Sequence, residues 1–232
     1  MSEGSGRHTP ETRARILDAA EALFVEHGLE GTSMRMITGR AGVNLAAVNY
    51  HFGSKERLIR EIFEHRVRPL NRRCLAALEG HIAHAQESGQ AVRPEDILEA
   101  FLQPALELAA DTEHGGQRFM CLLGRTHTES SPFMRRLLAE LYRDTLRRFL
   151  DVLCESLPAI PREEMLWRFY FMMGSTAYAI AGTDNLQVFG GCFEEQDPAD
   201  LSPRLMSFLL AGLRAPLPER LAPPDPADGA AV

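Results

Sequence analysis

The sequence predicts an all-α protein of about nine helices arranged in two domains. Nearly every segment spaces its apolar residues as one face of a helix does, and no segment alternates apolar and polar residues like a half-buried strand. Glycine and proline residues divide the chain into separate helical segments. The 232 residues suit a small N-terminal domain followed by a larger one.

The first predicted helix begins at Thr9-Pro10, because threonine can cap a helix and proline suits its first turn. Gly28 ends it, since glycine tolerates the left-handed conformation found at helix ends. The apolar side chains between these points fall on one face, which we expect to be buried: Ile16, Ala20, Leu23 and Phe24.

Residues 32–52 predict two short helices joined by a tight turn. Thr32 or Ser33 begins the first helix, residues 41–43 (AGV) form the turn, and Asn44 caps the second helix. This is the layout of a helix-turn-helix motif. The second helix, at residues 45–51, keeps one face free, and a single helix fits into the major groove of DNA.

The remaining segments predict a second, larger domain. Helices are predicted at residues 54–79, 94–111, 117–126, 132–157, 163–181 and 203–213. Loops are predicted at residues 81–93 and 184–200. The domain boundaries are therefore expected at residues 9–56, 57–215 and 216–232, the last being a disordered tail rich in Pro, Ala and Asp.

The net charge of −7 is distributed unevenly along the chain. The first 60 residues carry eight basic and seven acidic side chains, whereas the rest of the chain is strongly acidic. A weakly basic head allows local phosphate contacts, but it argues against indiscriminate binding to nucleic acid. The four cysteines are far apart, which indicates neither a zinc site nor a disulfide framework.

Several protein classes are disfavoured by what the sequence lacks. No apolar run reaches the roughly 18 residues of a membrane span, and the first residues lack the apolar core of a signal peptide. We therefore expect a cytoplasmic protein without a membrane partner. No phosphate loop, nucleophile elbow or dinucleotide fingerprint is found, so we expect no enzyme, no cofactor and no metal site.

A specific motif is formed by residues 50–52 (YHF), which are followed directly by residues 53–56 (GSKE). Together with the rest of the segment at residues 16–63, it resembles the TetR family of bacterial transcriptional repressors. The resemblance implies a homodimer whose helix-turn-helix binds a double-stranded DNA operator and whose C-terminal domain binds a small-molecule effector. Residues 44–56 (NLAAVNYHFGSKE) are similar to a branch that represses fatty-acid-degradation genes.

The resemblance also implies roles for individual side chains. Position 49 is often aromatic in the family and position 45 often polar, so Asn49 and Leu45 argue against copying the operator of any relative. An asparagine can bind adenine through two hydrogen bonds, and a leucine can contact a thymine methyl. His51 could instead bond within the small domain, Tyr50 could pack on the next helix, and Arg35 could be a solvated charge. The implied DNA-contacting residues are Thr32, Arg35, Leu45, Ala46, Asn49, Tyr50, His51 and Lys55.

The predicted helix at residues 163–181 is apolar on two sides, so it must be buried on two sides. One side can pack within its own subunit, and the other can meet a partner helix across a twofold axis. The alternative is a fully internal helix, but the resemblance implies that the last two helices form the dimer. The expected dimer residues are Trp167, Phe171, Gly174, Tyr178, Ala181, Phe208 and Leu209.

The C-terminal domain contains many phenylalanine and methionine residues, and flexible methionines suit an irregular lipophilic ligand. We expect a fatty acid or an acyl-CoA, with Arg118, Arg125 or His127 pairing with its charged group. Plain core packing and ordinary surface charges are the alternatives. The expected ligand-binding residues are Phe101, Phe119, Met120, Leu123, Arg125, His127, Phe133, Leu137, Trp167 and Phe171.

The sequence thus predicts a ligand-responsive repressor that binds a pseudo-palindromic operator as a dimer. The alternative is a dimeric helical protein-interaction module without specific DNA binding. That alternative would leave Tyr50, Lys55 and Arg35 without a role.

Overall fold

The computed structural model describes residues 10–126, 131–181 and 201–218, and these residues form nine helices and no strand. The all-α fold class is confirmed. None of the described helices is both long and apolar enough to cross a membrane. The helices are α1 (Pro10–Gly31), α2 (Met34–Ala41), α3 (Leu45–Phe52), α4 (Lys55–Glu87), α5 (Pro94–Ala110), α6 (Gly116–Thr126), α7 (Pro132–Ser156), α8 (Arg162–Ala181) and α9 (Leu201–Arg214).

The chain bends sharply at Gly28, where α1 was predicted to end. Gly28 has φ 75° and ψ 168°, a conformation that residues with a Cβ rarely adopt. Beyond this bend, the buried hydroxyl of Thr32 donates hydrogen bonds to the carbonyls of Leu23 (3.0 Å) and Gly28 (2.9 Å). These bonds fix the start of α2 against the end of α1.

The turn between α2 and α3 is held from outside by α1. Gly42 ends α2 in the left-handed conformation, with φ 63°. The guanidinium of Arg15 donates hydrogen bonds to the carbonyls of Ala41 and Gly42, the latter at 3.2 Å. A Cβ at Gly42 would lie 2.9 Å from the Arg15 Nη2 atom. Only glycine therefore fits both the backbone conformation and the space at this position.

Helix α4 is longer than the sequence predicted. It has 33 residues and ends at Glu87, so the loop predicted at residues 81–93 is wrong for its first half. Gly80 lies inside the helix, exposed with open space around it, and Ile82 packs against the core. A helical glycine costs only about 1 kcal/mol relative to alanine, which this packing can offset.

The other helix predictions agree with the structure to within a turn. Helix α4 packs along α5 and α7, α6 packs between α5 and α8, and α9 packs on α5 and α8. Because its first turns pack on α1 and α3, α4 also connects the N-terminal helices to the C-terminal bundle. The loop predicted at 184–200 and residues 219–232 of the predicted tail lie outside the described residues.

A buried arginine joins the last two helices. The Arg168 side chain on α8 donates from Nη1 to the carbonyls of Leu213 and Ala215, both at 2.7 Å, and from Nη2 to Pro216 at 3.3 Å. Its Nε atom donates to the Glu164 carboxylate at 2.8 Å. The last carbonyls of a helix lack partners within the helix. Arg168 supplies partners at the end of α9 and thereby holds that end against α8.

We expect Arg168→Ala to lower the free energy of unfolding by about 3 kcal/mol or more, because it leaves a buried carboxylate and buried carbonyls without their donor. Chemical denaturation at fixed protein concentration measures this change. The control is Arg147→Ala, which removes an exposed arginine 4.0 Å from Asp151 and should change stability by less than about 0.5 kcal/mol. Equal effects for the two variants would contradict the proposed importance of the buried bonds.

Candidate functional site

Helix α3 has one buried face and one exposed face. Asn44 caps the helix by accepting a hydrogen bond from the Ala47 backbone amide at 2.8 Å. Val48 and Phe52 are buried, and they fix the rotation of the helix about its axis. Ala47 is buried as well. The opposite face carries exposed Leu45, Ala46, Asn49 and Tyr50.

The exposed face of α3 is accessible over its whole length. The Leu45 side chain is 42% exposed and that of Tyr50 is 71% exposed. A short helix with such a face matches the width of the DNA major groove. The amide of Asn49 has the donor and acceptor that adenine recognition requires.

Three further predicted residues lie on α2, at the end of α3 and at the start of α4. Arg35 is exposed on α2, and Lys55 is half-buried at the start of α4 with its Nζ atom 3.5 Å from the Glu30 carbonyl. The half-buried His51 ring lies between the rings of Tyr50 (5.4 Å between centroids) and Phe52 (6.1 Å). His51 is therefore part of the packing of the small domain as well as a neighbour of the exposed face.

The prediction that the Thr32 side chain contacts DNA is wrong. Thr32 is fully buried, and its hydroxyl bonds to the carbonyls of Leu23 and Gly28. A polar residue near a helix start is usually exposed, but here the bend at Gly28 turns its side chain inward. The role of Thr32 is to position α2.

The C-terminal helices surround a partly open cavity of about 80 Å³ between α4, α5, α6, α7 and α8. Three predicted ligand-binding residues line it: Phe101, Met120 and Leu123. The other lining residues were not predicted from the sequence and are Leu70, Asn71, Cys74, Ala105, Tyr142, Thr145, Leu146, Met173, Thr176, Ala177 and Ile180.

Several missed residues are polar and lie on otherwise apolar helix faces. The Asn71 amide donates to the Leu141 carbonyl at 2.8 Å. Burial raises the pKa of the Cys74 thiol to about 12 and also raises the pKa of the Tyr142 hydroxyl, so both groups are neutral at pH 7. Asn71 interrupts the apolar stripe that includes Leu70 and Cys74, and this interruption was the available sequence signal.

Four of the predicted ligand-binding residues do not line the cavity, because they belong to other contacts or to the surface. Phe119 is fully buried against Phe63, with ring centroids 5.4 Å apart, and it does not line the cavity. Trp167 and Phe171 are each 59% exposed. Arg125 is exposed and donates from Nη1 to the Val25 carbonyl of α1 at 2.6 Å.

The remaining ligand predictions are also unsupported at the cavity. Leu137 is fully buried and Phe133 is half-buried, but neither lines it. Both lie on the first turns of α7, whereas the cavity contacts α7 further along, near Tyr142. His127 lies outside the described residues. Arg118 lines a separate open groove beside α1 rather than the cavity.

The N-terminal helices contact α6 and the segment that precedes it. Arg66 of α4 donates to both carboxylate oxygens of Glu21 on α1, at 2.9 and 3.1 Å, and to the His114 carbonyl at 2.9 Å. Arg125 of α6 bonds to the end of α1 as described above. Since α6 also carries Met120 and Leu123 of the cavity wall, one helix contacts both the cavity and the N-terminal domain.

The outer sides of α8 and α9 carry an exposed aromatic surface. Trp167, Tyr170 and Phe171 cluster with ring centroids 5.9–6.2 Å apart. Tyr178 of α8 and Phe208 of α9 are also largely exposed. We call these five residues the aromatic face.

Two predicted dimer residues on this side have contrasting environments. Gly174 is exposed, and a Cβ there would meet no atom within 4 Å. Leu209 is buried in its own chain, so its assignment to the dimer contact is wrong. Leu209 follows Leu205 by four residues on the inner face of α9, one position away from outward-facing Phe208. The Ala181 side chain lies outside the described residues.

Comparison with known families places both parts of the chain. Residues 16–62 match the bacterial regulatory proteins of the tetR family, and residues 99–212 match the tetracyclin repressor-like C-terminal domain. The HTH-type transcriptional regulator TtgR of Pseudomonas putida is 33% identical over 84 residues, 36% of each chain. The HTH-type transcriptional repressor AcnR of Corynebacterium efficiens is 38% identical over 58 residues, 25% of this chain and 31% of AcnR. The matched segments thus span about a third of these relatives.

Solved structures resemble the chain over nearly its whole length. The fatty acid degradation regulator FadR of Bacillus halodurans has a TM-score of 0.62 and 19% identity, covering 92% of this chain and 99% of FadR. FadR of Bacillus subtilis, solved in complex with stearoyl-CoA, has a TM-score of 0.62 and 16% identity, covering 86% and 98%. At these identities the likeness establishes the fold. With matching N-terminal and C-terminal models on that fold, the chain belongs to the TetR family of transcriptional regulators.

Proposed function

We propose that this TetR-family regulator is a repressor that binds a pseudo-palindromic operator as a dimer and is released by a small lipophilic effector. The exposed face of α3, formed by Leu45, Ala46, Asn49 and Tyr50, is the observation that carries the proposal. A protein-interaction module would not require a short capped helix whose exposed face fits the DNA major groove and carries a hydrogen-bonding amide at its centre. The DNA-binding experiment described below distinguishes the repressor from such a module.

The contacts with DNA divide into two kinds. Asn49 and Leu45 face outward from the middle and start of α3 and can reach base edges, which carry sequence information. Tyr50, Lys55 and Arg35 are arranged around them and can bind phosphates, which position the protein without reading sequence. His51 supports the Tyr50 ring from the domain side.

Dimer formation is supported by the aromatic face. An exposed cluster of large aromatic side chains is uncommon on a monomer and marks an interaction surface. The cluster lies on α8 and α9, and Gly174 on the same side leaves room for close approach of a partner helix. A twofold pair would present two α3 helices to successive major grooves about 34–36 Å apart.

Effector release requires the cavity to communicate with α3. A ligand that displaces Met120 or Leu123 moves α6, and α6 contacts α1 through Arg125. Any ligand that favours a different separation of the two α3 helices lowers operator affinity by its preference for that state. The mostly apolar lining supports a lipophilic effector, of which the expected fatty acid or acyl-CoA is one class.

We expect Tyr50→Ala to weaken binding to operator and random DNA by a similar factor, because it removes a phosphate contact. Asn49→Ala should instead relax the preference at one base position, with a loss of about 1–3 kcal/mol of discrimination. The measurement is selection of bound sequences from random DNA, followed by fluorescence anisotropy at several salt concentrations. Arg72→Ala, an exposed change further along α4, is the control. Wild-type binding by both α3 variants would reject these roles, and salt-independent binding would favour the interaction module.

We expect Gly174→Arg to separate the dimer without unfolding the subunit, because the side chain meets no atom of its own chain but would obstruct a partner. Sedimentation velocity should show a monomer, far-UV circular dichroism should remain helical, and operator affinity should fall at least tenfold as paired recognition is lost. Gly80→Arg is the matched control, since Gly80 is also helical, exposed and open. A dimeric Gly174→Arg protein would place the interface elsewhere.

A further inference from the structure

We infer that the effector is a small uncharged molecule whose hydrogen-bonding group meets the hydroxyl of Thr176. The inference rests on the proposed function, since it names the chemical class that the cavity between α4 and α8 takes. It narrows the lipophilic class and departs from the fatty acid or acyl-CoA expected from the sequence.

The charge of the cavity lining is the first argument. Among the described residues that line the cavity, none is Asp, Glu, Lys, Arg or His. A carboxylate or phosphate that entered would lose its hydration and gain no counter-charge, which costs several kcal/mol. Arg118 and Arg125, the described candidates for such a counter-charge, face α1 and its groove instead. The lining therefore disfavours an enclosed anion.

The polar groups of the lining supply the second argument. The Thr176 side chain is 95% buried, with 5% exposure, and its Oγ1 atom has no hydrogen-bond partner among the described residues. Leaving a buried hydroxyl unpaired costs about 1–3 kcal/mol, so folded proteins rarely do it without a reason. A ligand hydroxyl, carbonyl or amide in the cavity would provide the missing partner.

Two further polar groups in the lining also favour an uncharged ligand. Burial raises the pKa of Tyr142, so its phenol stays protonated and can donate a hydrogen bond. The thiol of Cys74 is likewise protonated and lies 3.8 Å from the Phe101 carbonyl. Such neutral donors and acceptors can stabilise a polar group on the ligand, and the ligand does not need to carry a charge.

The size of the cavity is the third argument. A buried water needs roughly 10–15 Å³ by the same kind of measure, so about 80 Å³ holds roughly five to eight non-hydrogen atoms before side chains move. Flexible Met120 and Met173 can make room for a somewhat larger molecule. A long acyl chain exceeds this volume and would have to extend beyond the cavity or displace its walls.

The test compares neutral molecules with their charged counterparts on the full-length protein without DNA. Isothermal titration calorimetry is carried out with benzyl alcohol against benzoate, with hexan-1-ol against hexanoate, and with stearoyl-CoA. We expect each alcohol to bind at least about tenfold more tightly than its carboxylate, because only the carboxylate carries the charge-burial cost. Equal or tighter binding of the carboxylates, tighter binding of stearoyl-CoA, or no binding of the alcohols at millimolar concentration would overturn the inference.

A substitution tests the role of the hydroxyl itself. Thr176→Val keeps the shape of the side chain and should weaken benzyl alcohol binding roughly two- to tenfold, while the ligand-free protein keeps or gains thermal stability. Thr126→Val is the matched control, because the equally buried Thr126 hydroxyl already donates to the Leu123 carbonyl at 2.6 Å. This control should lose stability and keep its benzyl alcohol affinity. If Thr176→Val instead loses stability and keeps its affinity, the hydroxyl is structural and the inference is wrong.

The two levels of the proposal fail in different ways. A protein that binds no DNA in the selection experiment refutes the proposed function, while calorimetry still measures the preference of the cavity. A protein that binds its operator and is released by a carboxylate or stearoyl-CoA, but not by an alcohol, retains the proposed function and refutes the uncharged effector.

Discussion

Helix α6 packs between α1 and the cavity. Any coupling between the cavity and the N-terminal domain depends on this packing. One side of α6 contributes Met120 and Leu123 to the cavity, while Phe119 packs on Phe63 and Arg125 bonds to the end of α1. Well-packed interiors resist gradual deformation, so a change at one side of such a helix must be accommodated at the other. The cavity and the N-terminal domain therefore share α6 as a common wall.

The outer surface of the bundle depends on a different contact. The Arg168 side chain is buried between α8 and α9, where its hydrogen bonds hold the end of α9 in place. It thereby supports the exposed aromatic face. Glu164 balances its charge one helical turn away. The proposed dimer interface thus depends on a buried charged residue, Arg168. This residue positions the aromatic face but is not part of it.

Much of the fold could be predicted from sequence because helix periodicity, caps and breaks are local signals. The α3 cap at Asn44 and the break at Gly28 are of this kind. The cavity lining could not be predicted equally well, because an apolar helix does not reveal which of its faces meets a cavity and which meets a partner. Trp167 was assigned to both, whereas the decisive polar residue, Thr176, lacks any pattern in the sequence. Thr32 was misassigned because its inward direction depends on the bend before it.

The clamp formed by Arg15 has a mechanical consequence for the reading of DNA. Its guanidinium bridges from α1 to the carbonyls that end α2, at the only point where the two short helices could hinge. The Arg15 side chain thereby links the end of α2 to α1, in addition to the packing between these two helices. Under the proposed function, a displacement of α1 would act through this bond on the turn that leads into α3.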